Sequence, residues 1–86
     1  MANGKISVPS LSITSKNIRA LMDEKKMSVK DLQKALCSEY PQKIYNWLKG
    51  ASLPGPDSEM ALSEIFGVPR EQIIGYIQIE QYALPY

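Results

Sequence analysis

Side chains able to form directional hydrogen bonds lie close together in the segment 41–50, whose sequence is PQKIYNWLKG. Helical spacing would place Ile44, Trp47 and Leu48 on one apolar face of this segment. The other side chains then lie away from that face, and they are Gln42, Lys43, Asn46 and Lys49, with Tyr45 at the border. Glutamine and asparagine match the hydrogen-bonding edge of adenine, and lysine donates to guanine or to phosphate. This face is therefore suited to recognising a nucleic acid. A catalytic helix would instead carry a nucleophile, a general base or paired acids, and this segment carries none of them.

The rest of the composition also favours binding over catalysis. The chain has no histidine, and its single cysteine, Cys37, excludes the usual zinc spacings and an internal disulfide. No glycine-rich phosphate loop is present. We therefore expect no enzymatic activity, no cofactor and no metal site. The chain has a lone cysteine and no signal peptide, and no apolar run approaches the ~18 residues of a membrane span. These features predict a cytoplasmic protein without membrane contact.

Charge is divided unevenly between the two parts of the chain. Residues 1–50 carry nine basic and four acidic side chains, a net charge of +5. Residues 51–86 carry one basic and five acidic side chains, a net charge of −4, so the overall +1 conceals the asymmetry. This division predicts one side that faces a polyanion and one side that is turned away from it.

Helices must position the polar face, and the apolar periodicity predicts five of them. They are expected at about 14–27, 28–36, 41–49, 56–66 and 69–74. Thr14 or Ser15 can cap the first helix, and the segment 28–31 has the form of a capping box for the second. Pro41 suits the first position of the third helix, and Gly67 ends the fourth.

The two ends of the chain leave more than one interpretation open. Ile77-Gln78-Ile79-Glu80 alternates like a strand, whereas Ile73, Ile77 and Leu84 have helical spacing. The N-terminal arm and the C-terminal tail can pair as strands, within the chain or across a dimer, or remain disordered.

Residues from about 17 to 74 resemble the Cro/C1-type (XRE) helix-turn-helix family of bacterial and phage regulators. The matching pieces, in order, are NIRAL at 17–21, SVKDLQ at 28–33, PQKIYNWLKG at 41–50, LP at 53–54, ALSEIFGV at 61–68 and EQII at 71–74. The resemblance implies an all-α fold, a five-helix Cro/C1-type (lambda repressor-like) DNA-binding domain at residues 14–75. Flexible or extended arms would occupy residues 1–13 and 76–86.

The same resemblance implies a sequence-specific DNA-binding transcriptional regulator, a repressor of phage or mobile-element type. Its third helix, at about 41–49, would lie in the major groove of double-stranded DNA. The expected base-contacting residues are Gln42, Lys43 and Asn46, with Tyr45 beside them. The expected phosphate-contacting residues are Lys16, Asn17, Ser28, Lys30 and Lys49. Relatives often bind a twofold operator as dimers, so a homodimer is a further expectation, and a monomer that pairs only on DNA is equally compatible.

A second hypothesis is a protein-interaction module, such as an antitoxin-like accessory protein, that keeps the fold without specific DNA binding. The near-neutral net charge and the apolar termini favour this hypothesis. Val29 favours it as well, because many relatives have a phosphate-binding glutamine at that position. The turn at 37–40 lacks the usual glycine and is about one residue longer than the commonest form. Glu59 stands where an apolar residue is common, so Met60 is expected to pack in its place.

Overall fold

A computed structural model describes residues 3–82 of the chain, and the side chains of residues 6–79. Its elements, in order, are strand β1 (Asn3–Pro9), helices α1 (Leu11–Glu24), α2 (Val29–Ala35), α3 (Gln42–Leu48) and α4 (Pro56–Phe66), a 3-10 turn (Arg70–Gln72) and strand β2 (Tyr76–Tyr82). The two strands pair with each other in antiparallel orientation and form a two-stranded sheet, the terminal ribbon. The four helices lie between the two strands in the sequence.

The prediction of an all-α, five-helix domain is therefore wrong. The expected fifth helix is only the 3-10 turn, which begins after extended Pro69 and ends before Ile73. The segments expected to be arms instead form the terminal ribbon. In each strand isoleucine or valine alternates with polar residues, and β-branched side chains favour strands. Of the alternatives for the two ends, pairing as strands within the chain is confirmed for the described residues. Leu84, which supported the helical interpretation, lies outside them.

Helix α1 begins earlier than predicted, because its cap is Ser10. The backbone of Ser10 is extended, and its hydroxyl accepts a hydrogen bond from the Ile13 N–H at 3.1 Å. Thr14 and Ser15, the predicted caps, instead lie inside the helix and are buried. Their hydroxyls are used in tertiary contacts, as described below.

Local signals place the N-terminal ends of α2, α3 and α4 to within one residue, whereas α1 ends at Glu24 and not near residue 27 as predicted. Ser28 and Asp31 form the predicted capping box, with hydrogen bonds of 3.1 and 2.9 Å. Pro41 occupies the position before the first residue of α3 and not the first helical position itself, so α3 begins one residue later than predicted. Helix α4 has Pro56 in its first turn and ends before Gly67, whose φ of 69° is in the left-handed region that glycine adopts without a steric penalty.

A continuous apolar core receives side chains from all four helices and from the segment that follows the 3-10 turn. Its buried members are Ile18, Leu21, Met22, Leu32, Ile44, Trp47, Leu62, Phe66, Ile73 and Ile74. The buried residues of α1, α3 and α4 recur at helical spacing, which confirms the apolar periodicity of these three helices, whereas Ile73 and Ile74 follow the 3-10 turn. The expectation that Met60 packs in the core is wrong, because its side chain is 59% exposed.

A short joint connects the terminal ribbon to the helices. The Ser10 N–H donates to the carbonyl of Gly75 at 2.7 Å, and the Gly75 N–H donates to the buried Thr14 hydroxyl at 2.9 Å. Gly75 is buried, and a Cβ at this position would come within 2.6 Å of the Ile13 Cβ atom. Only glycine therefore fits where the chain leaves the helical body and enters β2.

Candidate nucleic-acid interface

Helix α3 exposes a polar face while its apolar face is buried in the core. Ile44 and Trp47 are almost inaccessible to solvent, and together they fix the rotation of the helix about its own axis. The residues away from the core are the exposed Gln42, Lys43, Tyr45 and Lys49 and the half-buried Asn46. All five residues of the sequence prediction thus belong to one contiguous surface.

Two contacts order side chains on this surface. The Gln42 amide nitrogen donates to the Asn46 amide oxygen at 3.2 Å, one helical turn away. The Lys43 ammonium lies 6.0 Å from the centroid of the Trp47 ring, near the outer limit of a cation–π contact. The two amides therefore form a hydrogen-bonded pair that presents its remaining donors and acceptors together, beside a positive charge.

The C-terminal end of α3 is attached to α1 through one carbonyl group. The Leu48 carbonyl accepts hydrogen bonds from the Arg19 guanidinium at 2.7 and 3.0 Å, and from the Ser15 hydroxyl at 2.5 Å. A cation at a helix C-terminus also interacts favourably with the helix dipole. Arg19 and Ser15 therefore set the position of α3 relative to the body of the protein.

Helices α2 and α3 form a helix-turn-helix, and hydrogen bonds from side chains to backbone carbonyls order the turn between them. Cys37 is exposed and has a φ of 54°, which is uncommon for a residue with a side chain. It occupies the left-handed position for which glycine is usual. The Gln33 amide donates to the carbonyls of Ser38 and Glu39, both at 3.2 Å, and the Ser38 hydroxyl donates to the Tyr40 carbonyl at 2.9 Å. The longer turn is thus an ordered connection.

Two of the predicted phosphate-contacting residues come together at a groove between α1 and α3. Lys16 and Lys49 line it together with Arg19 and Gly50, and the groove has a volume of about 570 Å³. Ser12 also contributes to its wall. Both lysines are exposed, and their contacts with phosphate stay predictions.

The other predicted phosphate-contacting residues are placed differently. Ser28 and Lys30 lie at the N-terminus of α2, where the Ser28 hydroxyl accepts from the Asp31 N–H. The hydrogen bond that Asp31 accepts from the Ser28 backbone N–H holds the pKa of this carboxyl below its usual value, with the Ser28 hydroxyl and two lysines acting in the same direction. Asn17 donates from its amide nitrogen to the Ile73 carbonyl at 3.2 Å, which ties α1 to the end of the 3-10 turn. The phosphate contacts of all these residues stay predictions.

Sequence reasoning missed the residues that hold α3 in place. Ser15 and Arg19 are separated by four positions and therefore lie on the same face of α1. This spacing was visible in the sequence, but nothing local connects the pair with Leu48, which follows Ser15 by 33 residues. Thr14, whose hydroxyl binds the Gly75 N–H, was missed for the same reason.

The solution structure of the SOS-response transcriptional repressor LexA from Eubacterium rectale has a similar fold. The TM-score is 0.70 at 21% sequence identity, and the similarity covers 77% of this chain and 69% of that chain. At this level of identity the likeness shows the fold alone. No protein-family model matches the sequence, and no curated protein matches it. Membership of the Cro/C1-type family therefore stays a prediction.

Within the part of the chain that the structure describes, no helix has the length and apolar character needed to cross a membrane. The longest helix, α1, has 14 residues.

Proposed function

We propose that this protein is a transcriptional regulator that binds double-stranded DNA by inserting α3 into the major groove. The observation that carries the proposal is the contiguous surface of Gln42, Lys43, Tyr45, Asn46 and Lys49 on a helix whose opposite side is fixed in the core. Side-chain amides and ammonium groups on an exposed helix match the donors and acceptors of base edges in the major groove.

Two further features support DNA binding. The groove containing Lys16 and Lys49 adjoins the C-terminal end of α3, so phosphate contacts can flank the base contacts. The helix-turn-helix formed by α2 and α3 is a common support for a recognition helix, and the similar fold of the repressor LexA agrees with this use. Repression by occupancy of an operator is the corresponding mechanism.

Selection of bound duplexes from a random DNA library tests the proposal directly. The selection is carried out with the full chain at about 150 mM salt, a condition that suppresses binding by charge alone. We expect an enriched motif of several base pairs. The absence of enrichment, together with capture of a stoichiometric protein partner, would instead favour the interaction module.

A charge-matched pair of variants then assigns the motif to α3. Lys43→Gln removes one positive charge from the proposed interface, and Arg70→Gln removes one from a cavity beside Glu59, Glu71 and Tyr76 on the acidic part of the chain. The Lys43 variant should lose about 1–3 kcal/mol of binding free energy on the selected duplex, whereas the Arg70 variant should bind like the wild type. Equal losses in fluorescence-anisotropy titrations would mean that overall charge, and not α3, determines the affinity.

A further inference from the structure

The groove between α1 and α3 collects positive charge from both helices. Lys16, Arg19 and Lys49 all line it, and we call it the basic groove. Lys16 lies one turn before Arg19 on α1, and Lys49 directly follows the last residue of α3. None of the described residues that line the groove is acidic. Like charges that share a groove repel one another, and an anion bound between them relieves the repulsion. The basic groove is thus suited to a phosphate group.

One of these cations also binds the end of α3. Leu48 is the last residue of α3, so its carbonyl has no hydrogen-bond partner within the helix. Two guanidinium N–H groups of Arg19 and the Ser15 hydroxyl bind this carbonyl instead. The planar guanidinium has further N–H donors that the carbonyl does not use. Arg19 can therefore hold α3 and bind a second acceptor at the same time.

The contact with α3 leaves the positive charge of Arg19 available. A backbone carbonyl carries no net charge, so it does not neutralise the guanidinium. Asp23, one turn further along α1, lines a separate cavity of about 190 Å³ together with Arg19. Among the described residues, the hydrogen bonds of the guanidinium go to the Leu48 carbonyl and not to this carboxylate. Arg19 is also exposed, so an anion in the basic groove has access to it.

We propose that Arg19 binds a backbone phosphate of the DNA in the basic groove and couples this phosphate to the placement of α3 through the Leu48 carbonyl. The inference rests on the proposed function and deepens it, because it gives Arg19 a role in specificity. Phosphate contacts fix the register of a protein on a duplex. A guanidinium that holds the phosphate and the end of α3 together fixes the register of α3 itself. A duplex whose bases do not match α3 displaces the helix, and the protein then loses this phosphate contact together with the base contacts.

Lys16 provides the contrast within the same groove. Its side chain is exposed, and no described hydrogen bond links it to α3. A phosphate contact from Lys16 should therefore strengthen binding to every duplex by a similar factor. Only the contact from Arg19 should distinguish a matching duplex from a mismatched one.

Fluorescence-anisotropy titrations of the full chain at several salt concentrations test the coupling. The duplexes are the selected one and a copy with one changed base pair, so each protein gives a discrimination ratio and a dependence of affinity on salt. Arg19→Met should reduce the slope of log affinity against log salt by about one, as expected for one lost phosphate contact. The same variant should lower the discrimination ratio by about fivefold or more. Lys16→Met should reduce the slope equally and keep the discrimination ratio of the wild type.

Arg19→Lys separates the charge of this side chain from its geometry. Lysine keeps the positive charge, so the salt dependence should stay like that of the wild type. Its single nitrogen lacks the planar fork that serves two acceptors, so the discrimination ratio should still fall. Circular dichroism establishes that each variant is folded, and the lysine variant carries the test if Arg19→Met is not.

Neutral methylphosphonate groups, substituted one at a time into the selected duplex, identify the phosphate that Arg19 binds. At one position the substitution should weaken binding of the wild type and have no further effect on the Arg19→Met variant. Such non-additivity is the sign of a direct contact. Additive effects at every position would mean that Arg19 binds no phosphate.

The outcomes separate this inference from the proposed function. If Arg19→Met loses discrimination at an unchanged salt slope, Arg19 is a structural anchor alone and the phosphate contact is overturned. A reduced slope at unchanged discrimination would make Arg19 equivalent to Lys16 and would overturn the coupling. Either result leaves DNA binding through α3 intact, whereas a library that yields no motif would refute the proposed function, on which the coupling depends.

Discussion

The helical body and the terminal ribbon use the same residue type in different surroundings. Ile18, Ile44 and Ile73 have no exposed surface in the helical core, whereas Ile6 and Ile79 in the ribbon are more than two-fifths exposed. The helices are thus stabilised by apolar side chains that are buried against one another within the same domain. The ribbon depends on backbone pairing and on its joint with α1, and its apolar side is left available. The comparison shows that one small chain can combine a fully buried helical core with a two-stranded sheet whose apolar side stays half-exposed.

Substituting matched isoleucines should give the largest effects and the sharpest contrast. Ile18→Ala removes fully buried methyl and methylene groups and should lower the free energy of unfolding by about 2–5 kcal/mol. Ile79→Ala starts from a half-exposed side chain and should cost about 1 kcal/mol. Urea denaturation of both variants, monitored by circular dichroism at 20 µM, measures the difference. Equal costs would mean that the ribbon is as tightly packed as the core.

Substitution of Gly75 should separate the two regions. Gly75→Ala places a Cβ against Ile13 and forces apart the backbone that carries both hydrogen bonds of the joint, at a cost of about 1–3 kcal/mol. Hydrogen exchange measured by NMR should show the amides of β1 and β2 losing protection first, while those of α1 and α4 retain theirs. Ala51→Gly, at an exposed position between α3 and α4, serves as a control. Uniform loss of protection would instead indicate a single cooperative unit.

Removal of Arg19 should affect α3 more than the terminal ribbon. Arg19→Met breaks two guanidinium hydrogen bonds to the Leu48 carbonyl and should cost about 1 kcal/mol, because the Ser15 hydroxyl still binds the same oxygen. Lys16→Met removes the same charge from an exposed side chain one turn earlier on α1, and should leave the stability nearly unchanged. Thermal denaturation compares the two. Chemical shift changes in the Arg19 variant that extend beyond the end of α3 into the ribbon would contradict the expectation that Arg19 acts on α3 alone.

The smallest effect concerns the cap of α2 and its dependence on pH. The Ser28 backbone N–H and hydroxyl lower the pKa of Asp31 in the folded protein from its ordinary value of 3.8. Stabilisation by this carboxylate is therefore present above pH ~4 and lost as the pH falls through the lowered folded pKa. Asp31→Asn should lower the melting temperature slightly at pH 6, and the difference from the wild type should shrink as the pH falls through the lowered pKa of Asp31. A difference that persists in acid would point to a cause other than ionisation.

Much of the helical body was predictable because the decisive contacts are local. The capping box of Ser28 and Asp31 spans three residues, and α4 is bounded by a proline and a glycine that act within one turn. Periodicity likewise identified the buried face of α3, and with it the exposed surface that includes Lys43 and Asn46. The error in α1 arose because Thr14 and Ser15 resemble helix caps when only neighbouring residues are considered.

The sequence by itself determined which segments form α1 to α4, which side of each is apolar, and that the polar residues of α3 lie together. Only the tertiary structure decided that the two ends of the chain pair, that Thr14 binds Gly75 across 61 positions, and that Arg19 and Ser15 meet the carbonyl of Leu48. Helical periodicity and caps depend on neighbours within four residues, so they are visible in the order of amino acids. Contacts between distant segments have no such local pattern, because they form only after the helices pack and bring the partners together.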